Sequence, residues 1–201
     1  MKIGLCLQVL YHIPFDEALA LAKELGFESI ELPVDRSSPF FDLEELLAGG
    51  WRDLKTRIER AGLEVSAVSN HQEGQLLLGP HGDDTDLVHG GTGGEKRAFA
   101  QRRLGQAAER AERLEVGVLV GFTGCEDYSR WFPWPRPDGY ERMHASFREA
   151  LRPVLDHCDR HGVLFAHECH PRQFAYNLET ALLAVELVDQ HLVAGLLAPP
   201  F

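Results

Sequence analysis

His161-Gly162-Val163-Leu164-Phe165-Ala166-His167-Glu168 leaves a helical stretch at a glycine, runs through a short apolar segment and arrives at a carboxylate. The same phrase occurs as Leu25-Gly26-Phe27-Glu28-Ser29-Ile30-Glu31-Leu32 and as Ala61-Gly62-Leu63-Glu64-Val65-Ser66-Ala67-Val68. Glycine suits the left-handed position just past a helix C-terminus, and the run that follows has strand composition. Each phrase therefore reads as a helix-to-strand joint. A fourth, Leu114-Glu115-Val116-Gly117-Val118-Leu119-Val120-Gly121, keeps the apolar run but lacks the glycine in register.

Working outward, Ile3-Gly4-Leu5-Cys6-Leu7 supplies a first strand, so five strands alternate with helices. Ala18, Leu19, Leu21, Ala22 and Leu25 form one apolar helical stripe; Leu43, Leu46, Leu47, Leu54 and Ile58 form another, with a break expected at Gly49-Gly50. Strands apolar at consecutive positions are buried on both faces, and strand-helix alternation forces parallel order. Two architectures compete. A doubly wound open sheet is complete at about five strands, whereas a (β/α)8 barrel takes about 250 residues, so 201 residues favour the open sheet. Against it, Gln8-Val9-Leu10-Tyr11-His12 follows the first strand where a glycine-rich phosphate loop would stand.

A length of 201 residues and 44% hydrophobic content make one domain over residues 1–201. The net charge of −11 argues against a nucleic-acid or anionic-membrane partner, because such surfaces recruit clustered positive charge. The arginines between Arg97 and Arg113 alternate with Glu109, Glu112 and Glu115 and read as a solvated helix face. Cys6, Cys125, Cys158 and Cys169 show no CxxC spacing, no leader-like start is visible, and no stretch is long enough to span a membrane. A cytoplasmic protein with free thiols is the expectation.

In strand-helix folds the loops after the strands build the site, and the long segments Asn70 to Gly94 and Thr123 to Gly139 both follow strands. The strand ends carry His12, Glu31, Asn70-His71, and Glu168 with His170. A carboxylate buried at a strand end needs a partner charge or a metal. Glu168 and His170 are suitable metal ligands, Glu168 and Glu31 candidate acid/base groups, and His12 and His71 candidate substrate contacts. Each has a structural alternative: an ion pair for Glu168 or Glu31, a solvated imidazole for the histidines. Trp131 and Trp134, among prolines, suit stacking on a sugar or simple loop packing.

Ser69-Asn70-His71-Gln72-Glu73-Gly74-Gln75 with Leu78-Gly79-Pro80-His81, then Gly121-Phe122-Thr123-Gly124, then Ala166-His167-Glu168-Cys169-His170-Pro171 together resemble the xylose-isomerase-like barrel family of sugar phosphate isomerases/epimerases. The resemblance spans about residues 1–189, makes 190–201 an atypical tail, and decides for a (β/α)8 TIM-barrel type that stops after about five β/α units. It implies a divalent metal (Mn, Mg, Zn or Co) held by a strand-five Glu, a place Glu168 matches, with an Asp, a His and a second Glu from later strands. It also implies a carbohydrate substrate and proton transfer through an enediolate. Three of those four ligands have no counterpart here, and Asn177 stands where relatives often carry Asp. The expectations are a truncated or frame-shifted chain of doubtful activity and a homo-oligomer formed through unpaired sheet edges. Two other classes stay open: a non-catalytic carbohydrate-binding or interaction remnant, and an endonuclease of the same barrel type, which the acidic charge disfavours.

Overall fold

In a computed structural model, which describes residues 2–127 and 138–188 and the backbone of 192–193, each apolar run becomes a strand of one sheet. The elements are β1 (Gly4–Cys6), α1 (Phe15–Glu24), β2 (Ser29–Pro33), α2 (Leu43–Glu45), α3 (Trp51–Arg60), β3 (Glu64–Asn70), α4 (Asp83–Asp86), α5 (Gly93–Arg113), β4 (Val118–Gly121), α6 (Gly139–Arg160), β5 (Leu164–His167), α7 (Leu178–Leu187) and β6 (Leu192–Val193). All pairs are parallel and the spatial order is β1-β2-β3-β4-β5-β6. A doubly wound sheet reverses its order at a switch point. Unbroken sequential order is that of a barrel wall, which settles the choice between the two architectures. The two-residue β6 falls within the stretch read as an atypical tail: Leu192 and Val193 pair with Phe165 and Ala166.

The two faces of this wall are filled differently. Ile30, Leu32, Val68, Leu119 and Phe165 point outward into one large core with Ala18, Leu19, Ile58, Leu104, Ala108, Phe147 and Leu151 of the helices. The concave face carries only Ala67, Val120 and Ala166, with Val118 against them. Side chains alternate along a strand, so every second residue after these small ones also points inward, and that parity selects the site.

At the joints, Gly26, Gly62 and Gly162 have φ of 89°, 70° and 65°. In the fourth joint Glu115 occupies the same place at φ 60°, so the position demanded a left-handed residue even where no glycine was supplied. The break expected at Gly49-Gly50 is a π-turn over Leu46–Gly50 with Gly49 at φ 134°. Arg110, fully buried, donates to the carbonyls of Leu46 (2.8 Å) and Leu43 (3.3 Å) across this kink. Arg103 is also buried, ion-paired to the wholly buried Glu73 at 2.8 Å. The solvated face expected for the arginine run is thus corrected at two positions, because α5 lies against the wall and its inward arginines answer buried carbonyls and a buried acid.

Nothing lies within 4 Å of a Cβ built on Gly162, so its cost of substitution is backbone strain alone. Gly162→Ala is expected to lower the unfolding free energy by about 1 kcal/mol, whereas Glu115→Gly should not lower it despite losing its exposed contact to Lys55. Urea midpoints of the two variants against wild type test this.

Candidate functional site

Parity along the strands places Cys6, Glu31, His71, Phe122 and Glu168 on the concave face, above Ala67, Val120 and Ala166. Glu31 reaches that face by plain alternation between the outward Ile30 and Leu32, and the irregularity lies in β3 opposite it: Ile30 pairs with Val65, but Glu31 pairs with Ala67. One extra residue on β3, Ser66, is left over, and its hydroxyl donates to the Ile30 carbonyl at 3.0 Å. Such bulges re-aim a side chain.

The centre of the group is an ion pair between strand ends that flank β4. His71 Nε2 donates to Glu168 Oε2 at 2.8 Å, with His71 buried and Glu168 partly open. Burial alone would depress the imidazole, but the hydrogen bond and charge of Glu168, with the charges of Glu31 and Asp35, hold it above its ordinary value. The hydrogen bond from His71 holds the Glu168 carboxyl below its ordinary value against the opposing effect of burial. The ring of Phe122 lies between His71 (centroids 4.6 Å apart) and His170 (5.0 Å). Cys6 Sγ donates to Glu31 Oε1 at 3.3 Å.

The loops that carry these residues are tied to one another. Gln173 Oε1 accepts the backbone N–H groups of Thr123 and Gly124 at 3.0 and 2.7 Å, and its Nε2 donates to Gln75 Oε1 at 2.5 Å. A Cβ on Gly74 would stand 2.3 Å from the Phe122 carbonyl oxygen, so only glycine permits that approach. Beneath Glu168, the buried His167 donates from Nδ1 to the Glu168 carbonyl (2.9 Å), so its Nε2 accepts the Thr123 hydroxyl (2.8 Å). Burial pushes this imidazole down to about 4, which keeps it neutral. Cys6, His167, Thr123 and Gln173 were not singled out from sequence; strand parity could have found Cys6, but the loop partners carry no local signal.

Of the residues that were singled out, Glu168, His71 and Glu31 share the concave face. His170 is exposed: its Nδ1 bonds to the Pro171 carbonyl, and it lies within electrostatic reach of Glu168 without bonding to it. His12 is exposed in the turn before α1. Trp131 and Trp134 lie outside the described residues. Among the described residues no three His, Cys, Asp or Glu side chains are grouped to hold a metal ion. Glu168 offers one carboxylate with an oxygen already engaged by His71, so the described donors do not fit a complete divalent-metal site. A shallow concavity of about 460 Å³ lies outside the wall between α1 and α3, where Arg57 is already paired with Asp16. No described helix is long and apolar enough to cross a membrane.

The description of the family "Xylose isomerase-like TIM barrel" matches residues 19–197. Curated proteins yield no match. Solved structures with the same fold include the 3-keto-D-glucoside 4-epimerase from E. coli (TM-score 0.68, 20% identity, 96% of this chain and 66% of that one). Another is the IOLI protein with a binding zinc atom (0.63, 18%, 94% and 59%). A third is D-psicose 3-epimerase from Clostridium cellulolyticum H10 (0.56, 18%, 94% and 60%). This chain therefore spans roughly three fifths of the length of the structures it matches.

The ion pair sets a pH window. His71, raised, stabilises the fold below its ordinary 6.5 and loses that contribution as pH rises through its folded value; Glu168, lowered, contributes above its ordinary 4.5 and loses it as pH falls. The stability difference between wild type and His71→Gln, from urea unfolding, should be largest between these two values, about 1 kcal/mol, and shrink on both sides.

Proposed function

Because this chain belongs to the xylose isomerase-like TIM barrel family, we propose that it carries the proton-transferring part of a carbohydrate isomerase or epimerase site. The observation that carries this reading is the partly open Glu168 carboxylate, kept ionised by His71 on the same concave face as Glu31. A carboxylate of this kind takes a proton from the carbon beside a carbonyl, while the electron pair moves onto the carbonyl oxygen to give an enediolate. Return of that proton from Glu168 to the neighbouring carbon, with the hydroxyl proton passing to the former carbonyl oxygen, isomerises the sugar; delivery of a proton to the opposite face of the first carbon by Glu31 in its protonated form epimerises it and leaves Glu31 ionised and Glu168 protonated. His71 orients Glu168, and its positive charge offsets part of the negative charge that gathers on the enediolate oxygens.

A sugar, sugar phosphate or polyol-derived ketone fits a face lined by carboxylates, imidazoles and the Phe122 ring. The carbohydrate names of the E. coli and Clostridium structures support that class. His12, Trp131 and Trp134 are proposed to contact the substrate at the rim, and association of copies through the β1 and β6 edges is the proposed route to an oligomer. A divalent metal, where bound, would polarise the carbonyl; Glu168 and the nearby His170 are the groups of this chain proposed toward it, and its other ligands would have to come from outside the described residues. A second reading, carbohydrate binding without turnover, draws on that same lack of a three-donor set.

Incubation with D-xylose, D-glucose, D-fructose and D-ribulose in D2O, followed by NMR, tests the reading. Deuterium should enter the carbon next to the carbonyl of at least one sugar, and the rate should fall about 100-fold or more in Glu168→Gln. Sugar-dependent thermal stabilisation without any deuterium uptake selects the binding reading. Neither effect, in a chain shown folded by circular dichroism, rejects both.

A further inference from the structure

Glu168 and Glu31 sit on one face but are held differently, and the difference falls on Cys6. Glu168 has a basic partner in His71. Glu31 has none: among the described residues its hydrogen-bond donor is the thiol of Cys6, at 3.3 Å. The contact follows from register. Cys6 and Glu31 are direct partners in the β1–β2 ladder and share the concave face, so the two side chains stand side by side wherever the wall is formed. On the next strand the bulge at Ser66 sets Glu31 opposite the small Ala67, which leaves the carboxylate room on that side.

The thiol is a donor in this contact. Burial, with the charge and hydrogen bond of Glu31 and the charge of Glu168, pushes Cys6 up to about 12, so it keeps its proton at neutral pH. A thiolate there would face two carboxylates. Lys or Arg at position 6 would place a positive charge against Glu31, and a serine hydroxyl would bind it more tightly; a thiol orients the carboxylate without bringing a charge of its own. Cys6 and His71 each sense both Glu31 and Glu168, which places the four groups within electrostatic reach of one another.

We propose that Cys6 is a positioning residue whose S–H···O hydrogen bond holds the Glu31 carboxylate on the concave face as the second proton-transferring group. This rests on the reading of Glu31 in the proposed function, and the test separates the two. The first measurement is the infrared S–H stretch of the whole chain, with the Cys6 band assigned by its loss in Cys6→Ala. That band should be shifted to low frequency in wild type and should move up in Glu31→Gln. An unchanged band in Glu31→Gln overturns the proposal, whatever the activity. The second is deuterium uptake with the sugars named above. Cys6→Ala should lower kcat about tenfold with KM unchanged, and Cys6→Ser should recover most of it. Uptake by Cys6→Ala at the wild-type rate, with circular dichroism as in wild type, overturns the proposal too. Absence of uptake in wild type counts against the proposed isomerase or epimerase, and the infrared comparison then decides the Cys6–Glu31 contact by itself.

Discussion

The hydrogen bond between His71 and Glu168 spans β4 and joins the ends of β3 and β5. Both groups sit above the small apolar floor of the concave face, Ala67, Val120 and Ala166, where the inward positions that follow are Ser69, His71, Phe122 and Glu168. An ionised carboxylate in that place needs compensation, and an imidazole beside a carboxylate becomes more basic. The pair solves both requirements with one contact. It also fixes the relative height of the two strand ends, so the loops that leave them must be built around it.

Those loops are short of freedom for the same reason. Gln173, after β5, binds two backbone N–H groups after β4 and the side chain of Gln75 after β3. Gly74 comes so close to the Phe122 carbonyl that no other residue would fit. Leu76, Leu77 and Leu78 are buried, so the front of the long segment after β3 is packed wall rather than mobile cover. Behind it, Glu73 is fully buried and answers to Arg103 of α5 and Asn70 of β3. Burial still leaves that carboxyl above its ordinary value, so the charge of Arg103 offsets only part of the cost of enclosing it. The site therefore stands on a layer of buried polar contacts that ties its loops together, with Ser69 Oγ, Asn70 Oδ1 and His71 Nδ1 left without a hydrogen-bond partner among the described residues.

Much of the fold was legible because its signals are local. A glycine past each helix and an apolar run after it mark a joint without reference to any distant residue, and Glu115 shows the geometry holding where the glycine is missing. The placement of Glu31, His71 and Glu168 on one face was legible by the same token, as polar residues ending apolar runs. What sequence could not reveal was pairing. His170 lies nearer Glu168 in the chain, yet the partner of Glu168 is His71, 97 residues away, because alternation turns both onto one face while position 170 has left the strand. Arg103 and Arg110 looked like solvent-facing charges because their buried partners, Glu73 and the carbonyls at the Gly49 kink, belong to other elements. The bulge that sets Ala67 opposite Glu31 depends on β3 carrying one residue more than β2 needs, which neither strand announces alone.

The two carboxylates thus differ for reasons written into different parts of the wall. Glu168 answers to a basic imidazole just past the end of β3, where the packed segment that follows holds it in place. Glu31 answers to a thiol fixed by strand register, so its placement follows the wall itself, and β1 and β2 cannot slip by one residue without turning Cys6 or Glu31 to the helix side. A reaction that takes a proton on one group and returns it from another needs them to be unequal. In this chain the two carboxylates that the pleat has brought to the same face have unlike partners, an imidazole for Glu168 and a thiol for Glu31.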